Sequence, residues 1–175
     1  YLEHLVRRES LSLPDEDIED DMYDAMMDGI EALGFERYEI SNFALAGRKC
    51  SHNITYWKVN PYLGFGVSSH SFFDNSRYSN TSSIEEYIDL LSKNSLPIES
   101  TELIDDTMAF EEWIFLRLRM KDGINFEDIN SRFSIDFLAS YKLKLDKLLN
   151  EGLLIYDASK VSLTLKGFEL SNYVF

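Results

Sequence analysis

The chain has 175 residues, of which 45% are hydrophobic, so it has the means to bury a core as one domain or two small ones. A formal net charge of −14 argues against broad binding to phosphate backbones, which needs neutralising Lys and Arg, and nucleic acid is not an expected partner. No apolar run reaches the roughly 18 residues that span a bilayer, and Tyr1-Leu2-Glu3-His4-Leu5-Val6-Arg7-Arg8 lacks the order of a signal peptide, so the chain reads as cytoplasmic.

The single cysteine, Cys50, excludes an internal disulfide framework and any cluster held by several thiolates within this chain. Tyr1-Leu2-Glu3 reads as an entry in mid-protein, and the expectation is a fragment of something longer.

In chain order, Ile18, Met22, Ala25, Met26, Ile30 and Leu33 recur at helical spacing after Pro14 and a run of acids, and Gly34 stops the helix. The acids Asp17, Glu19, Asp20, Asp21, Asp24, Asp28 and Glu31 fit a solvated face better than a calcium loop. Arg37 to Ala44 alternates as a strand would, and a helix followed by a strand is the αβ half of a βαβ unit, which belongs in a parallel sheet. Residues 62–73 are rich in small and aromatic side chains and predict irregular backbone, with a hairpin turning at Asp74-Asn75. Gly64 and Gly66 lack the third glycine of a dinucleotide fingerprint, so close backbone packing explains them better than phosphate binding.

A helix is predicted over 84–93, and the domain boundary between Asn94 and Asp106. Beyond it the pattern predicts helices over 106–120, 126–133 and 136–150, two short strands around Asp157 to Lys160, and a last helix from Leu165. Three helices and a β-wing make a winged-helix-like unit, with Phe137, Leu138, Tyr141, Leu145, Leu148 and Leu149 as the apolar stripe of its third helix.

The densest constellation is Cys50-Ser51-His52-Asn53-Ile54-Thr55-Tyr56-Trp57, followed by Pro61-Tyr62-Leu63-Gly64 and His70. A neutral imidazole can ligate iron while aromatic rings cover a macrocycle, and on a helix His52 and Tyr56 share a face. One His among aromatics suits haem better than a tetrahedral zinc site, which Cys50 and His70 would complete only by spatial coincidence. The same residues also suit a packed corner, with His52 bonded to a backbone carbonyl and Trp57 in the core. His4 reads as an ordinary surface histidine, and Cys50 with His52 lacks the context of a nucleophile and its base.

Taken in order, Tyr38-Glu39-Ile40-Ser41-Asn42-Phe43-Ala44, Gly47, Cys50, His52-Asn53, Tyr56-Trp57, Tyr62-Leu63-Gly64 and His70-Ser71 resemble the central signature of the radical-SAM coproporphyrinogen III oxidase-like family. Phe110-Glu111-Glu112, Leu116-Arg117-Leu118-Arg119, Gly123-Ile124 and Leu163-Thr164-Leu165-Lys166-Gly167 resemble its C-terminal domain. The HNxxYW pattern of His52-Asn53-Ile54-Thr55-Tyr56-Trp57 resembles the haem chaperone (HemW-like) branch, whereas Val67-Ser68-Ser69 departs from the usual Gly-Pro-Gly-Ala-like run.

The resemblance implies an α+β chain: residues 1–100 as the helix-strand remnant of a partial (β/α) radical-SAM barrel with the HNxxYW segment, and 101–175 as a winged-helix-like domain. It implies haem contacts at His52, Asn53, Tyr56 and Trp57, with His52 as the iron ligand. The expected function is the C-terminal part of a haem chaperone that delivers haem to acceptor proteins. The alternatives are the same part of an oxygen-independent coproporphyrinogen III oxidase and, less favoured, a winged-helix DNA-binding module. S-adenosylmethionine and a [4Fe-4S] cluster belong to the parent only, so this chain alone is expected to be inactive. An exposed barrel edge is expected to favour self-association.

Overall fold

The computed structural model describes Val6, Arg8 and residues 11–175. His4 and the opening Tyr1-Leu2-Glu3 lie outside the described residues. Two compact units emerge, one of Phe43–Lys49 with the described residues up to Arg37, the other of Tyr38–Asn42 with Cys50–Phe175.

The first unit contains α1 (Glu16–Ala32), β1 (Glu36–Arg37) and β2 (Phe43–Ala44). Asp15 caps α1 by accepting from the Ile18 amide at 3.0 Å. At the other end Gly34, at φ +81°, ends the helix with the Phe35 amide bonded to the Ile30 carbonyl at 3.2 Å. The seven acids of the predicted face are all exposed. Most of the apolar stripe is exposed too, and Arg37 is held among Tyr23, Met27 and Phe43.

The single strand expected over 37–44 is not formed. β1 and β2 pair antiparallel with each other, Glu36 opposite Ala44 and Arg37 opposite Phe43. The intervening residues turn because the Glu39 carboxylate accepts from the Ser41 amide at 2.8 Å and the Asn42 side-chain amide at 2.5 Å, while the Tyr38 amide bonds the Asn42 carbonyl at 3.1 Å. Local side-chain bonds of this kind compete with extended pairing.

In the second unit, α2 (Ser51–Trp57) precedes β3 (His70–Phe73), β4 (Ser76–Asn80), α3 (Ile84–Ser92) and β5 (Ile98–Leu103). The strands form an antiparallel sheet in the order β3-β4-β5, with Ser71 opposite Tyr78 and Tyr78 opposite Thr101. The hairpin expected at Asp74-Asn75 is present, whereas β5 lies where a boundary segment was expected.

Then come α4 (Asp106–Leu118), β6 (Ile124–Asn125), α5 (Phe126–Phe133), α6 (Phe137–Asn150), β7 (Leu154–Tyr156), β8 (Lys160–Leu163), α7 (Leu165–Glu169) and α8 (Ser171–Val174). Side chains open these helices: Asp105, Asn125 and Asp136 accept from the amides of Met108, Glu127 and Ala139 at 2.9–3.0 Å. The core holds Trp113, Ile124, Ile129, Phe137, Val161 and Phe168, with Ile124 and Ile129 fully buried, and β6-β8-β7 closes one side as a small antiparallel sheet. On α6, Phe137 and Leu145 are buried, whereas Leu138 of the predicted stripe is exposed. The last predicted helix is two pieces, broken at Leu170.

The architecture is therefore mixed helix and sheet. Among the described residues no helix is long and apolar enough to cross a membrane.

Candidate functional site

The HNxxYW segment forms α2, a helix of seven residues with none buried. Cys50 at its N-cap makes no side-chain capping bond, and no charged residue stands in the first or last turn. The chain leaves the helix through Val59, whose φ of +54° is left-handed, with the Asn60 amide bonded to the Thr55 carbonyl at 3.0 Å and the Val59 amide to Tyr56 at 2.9 Å. A β-branched residue in this conformation costs about 1–2 kcal/mol. Packing of Val59 against the core offsets it.

His52 is exposed, and Asn53 beside it is half-buried. The His52 ring meets Tyr56 edge-on at 4.8 Å, and Tyr56 meets Tyr62 in the same manner at 4.5 Å. Tyr62 is fixed to β3 by paired backbone bonds with Phe72 of 2.8 and 2.9 Å. Gly64 lies so close to the His70 carbonyl that a Cβ there would stand 2.2 Å from its oxygen, which is the close backbone packing expected of this glycine. His70 itself is exposed and opposite Ser79 on the neighbouring strand. Among the described residues no three His, Cys, Asp or Glu side chains gather to hold a metal ion, so Cys50, His52 and His70 build no zinc site.

Trp57 is the last residue of α2, and the Arg119 guanidinium lies over its ring at 4.5 Å. Arg119 in turn reaches Glu39 at 3.4 Å, and the Glu39 side chain is wholly buried. Backbone contacts draw the same segments together: Glu39 bridges Met120, and the Lys121 amide bonds the Tyr38 carbonyl at 3.1 Å.

Between α2, β3, β4 and α4 lies a cavity of about 260 Å³, lined in part by Tyr56, Trp57, Tyr62, Arg77 and Glu112. Arg77 is paired with Glu112 and lies 3.6 Å from Glu102. Burial, then the neighbouring Tyr56, raises the Tyr62 phenol above the usual tyrosine range, against the pull of Arg77. The buried Trp57 indole nitrogen has no partner among the described residues, and the cavity beside it has room for water.

The structure thus brings His52, Asn53, Tyr56 and Trp57 onto one short helix, sets beside it Tyr62 of the same constellation, and adds Arg119 and Glu39, which the sequence did not single out as site residues. Glu39 carried a signal, since a carboxylate between Tyr38 and Ile40 demands a partner if that run is buried.

Residues 104–170 match the HemN C-terminal domain family. Over 97% of its length the chain is 36% identical to the protein named "Heme chaperone HemW" of Lactococcus lactis subsp. lactis (strain IL1403), and over 98% it is 34% identical to the protein of that name from Bacillus subtilis (strain 168). Residues 104–170 belong to the HemN C-terminal domain family, within a chain similar over nearly its whole length to proteins named HemW. The chain spans 44% and 45% of those two relatives, less than half of each. Among solved structures its fold matches the Escherichia coli coproporphyrinogen III oxidase HemN, described as a radical SAM enzyme, with a TM-score of 0.72 over 93% of this chain and 41% of that one, at 15% identity. That match speaks for the HemN-like fold alone.

Proposed function

We propose that this chain is the C-terminal part of a haem chaperone, a protein that holds haem as cargo and passes it to acceptor proteins. The observation that carries the reading is the exposed imidazole of His52, which has no hydrogen bond among the described residues and stands against the edge of Tyr56. These residues fit haem. A ring free at both nitrogens can give one to iron, and the Tyr56–Tyr62 row supplies aromatic surface beside it. In this reading His52 is the iron ligand, Asn53 and Tyr56 flank the porphyrin, and Trp57 contributes from the far end of the helix. The names of the Lactococcus and Bacillus relatives support it.

In the parent, S-adenosylmethionine and a [4Fe-4S] cluster would be held outside this chain, whose only thiol is Cys50. Residues 1–100 are read as the end of the radical-SAM barrel and 101–175 as a winged-helix-like domain. The match to the HemN C-terminal domain from residue 104 and the helices α4–α6 with the β6-β8-β7 sheet support that division. A second reading, oxidative decarboxylation of coproporphyrinogen III by the parent, rests on the family resemblance of the sequence and on the match to the HemN C-terminal domain.

Titration of haemin into the wild type, His52→Ala and His70→Ala tests the first reading. His52→Ala is expected to shift the Soret band and weaken binding at least tenfold, and His70→Ala to leave both unchanged. Equal spectra for wild type and His52→Ala would remove His52 as ligand.

A further inference from the structure

We infer that Arg119 is a positioning residue that holds α2 in its helical form and thereby sets His52 against Tyr56. The bearing on cargo rests on the haem reading; the effect on α2 does not.

Nothing within α2 accounts for its being a helix. Isolated helices shorter than about 12–15 residues are marginal in water, and this one has seven. It has no side-chain cap, no charge within its first or last turn, and no buried residue, and the one cation at its ends, Lys58 at the C-cap, is exposed and answers the helix dipole only weakly. Its N-terminal end, which carries His52, is exposed. What holds it must act at the C-terminal end, where three contacts stand out: the Tyr56 ring against Tyr62 at 4.5 Å, the guanidinium over Trp57 at 4.5 Å, and left-handed Val59 packed on the core.

Arg119 can serve as the fixed member because it is itself fixed. Glu39, wholly buried, meets it at 3.4 Å, and Glu39 is in turn held by the Ser41 amide, the Asn42 side chain and the backbone bridge to Met120. A guanidinium can lie flat on an indole while its edge faces a carboxylate. An ammonium keeps the charge but not the plate, so lysine is no equivalent at such a position. The chain of contacts Glu39–Arg119–Trp57 therefore links the 38–42 turn and the end of α4 to the helix that presents His52.

Amide hydrogen exchange on the whole chain, without haem, tests this. Arg119→Lys and, separately, Trp57→Leu are compared with wild type, the second leaving the Glu39–Arg119 pair in place should the first fail to fold. Both are expected to speed exchange of the Ile54, Lys58 and Asn60 amides, which close α2 and its exit, by about tenfold, while α4–α6 keep their protection. The His52 ring protons are expected to lose the ring-current shift that Tyr56 imposes. If either Arg119→Lys or Trp57→Leu folds with α2 as protected as in wild type, the inference is overturned. Loss of protection throughout α4–α6 in Trp57→Leu would also overturn it, since Trp57 would then be a general core residue. Haemin titration of wild type and His52→Ala is read separately: if His52→Ala leaves the spectrum unchanged, the haem reading fails while the exchange result stands on its own.

Discussion

The Asp157 carboxylate closes the turn between β7 and β8, accepting from the Ser159 hydroxyl and amide, each at 2.7 Å, and from the Lys160 amide at 3.1 Å. These bonds favour the ionised form, and the Ser159 hydroxyl most of all holds its pKa below the usual aspartate range. A lowered folded-state pKa means that the turn gains stability above the unfolded value of about 3.9 and loses it as pH falls through the folded value. NMR titration of the Asp157 side-chain carbon is expected to show this low midpoint, and Ser159→Ala to raise it; an unmoved midpoint would show that the hydroxyl is not its source. Single residues were unevenly legible in the sequence. Asp157 lay in an evident turn between two apolar runs, whereas Glu39 sat in a run whose alternation imitates a strand, and its bonds to Ser41 and Asn42 turn the chain instead.

Among the elements, the β3–β4 hairpin was legible because its two-residue turn announces itself. Asp74 and Asn75 both take positive φ, 51° and 53°, as a type I′ turn requires and as Asp and Asn tolerate. The Asn75 carbonyl also accepts from the Ile104 amide at 2.9 Å, tying the turn to the chain leaving β5. Asn75→Val places a β-branched residue in a left-handed conformation, and thermal or denaturant unfolding is expected to show a loss of about 1–2 kcal/mol. A loss below about 0.3 kcal/mol would mean that the turn relaxes to another type. By contrast, β5 was not legible. All six of its residues are exposed, so Ile98 to Leu103 carries no burial pattern, and its backbone bonds to β4 alone make it a strand. For α2 the residues were legible and the helix was not, since its order comes from contacts distant in sequence such as Arg119 over Trp57.

For the molecule as a whole, the 104–170 region could be read from its sequence because its apolar stripes are covered by its own core. The stripe of α1 follows the same helical spacing, but Ile18, Met22, Met26 and Leu33 are 49%, 59%, 47% and 73% exposed. Apolar surface of this kind on a helix favours burial at about 25 cal/mol per Å² and marks a contact surface. We propose that in this chain taken alone the self-association expected of the exposed barrel edge also covers this helix face with a second copy. The net charge of −14 opposes that approach, so screening by salt should strengthen association. Sedimentation equilibrium is expected to show a mass that rises with concentration, more steeply in about 0.5 M salt, where the Debye length is only a few ångströms. Met22→Ser with Met26→Ser removes apolar area without changing charge, and should return the chain to monomer with the α4–α6 region still folded. A wild-type monomer at every concentration and salt, or a double variant that associates as strongly as wild type, would exclude this stripe as the interface.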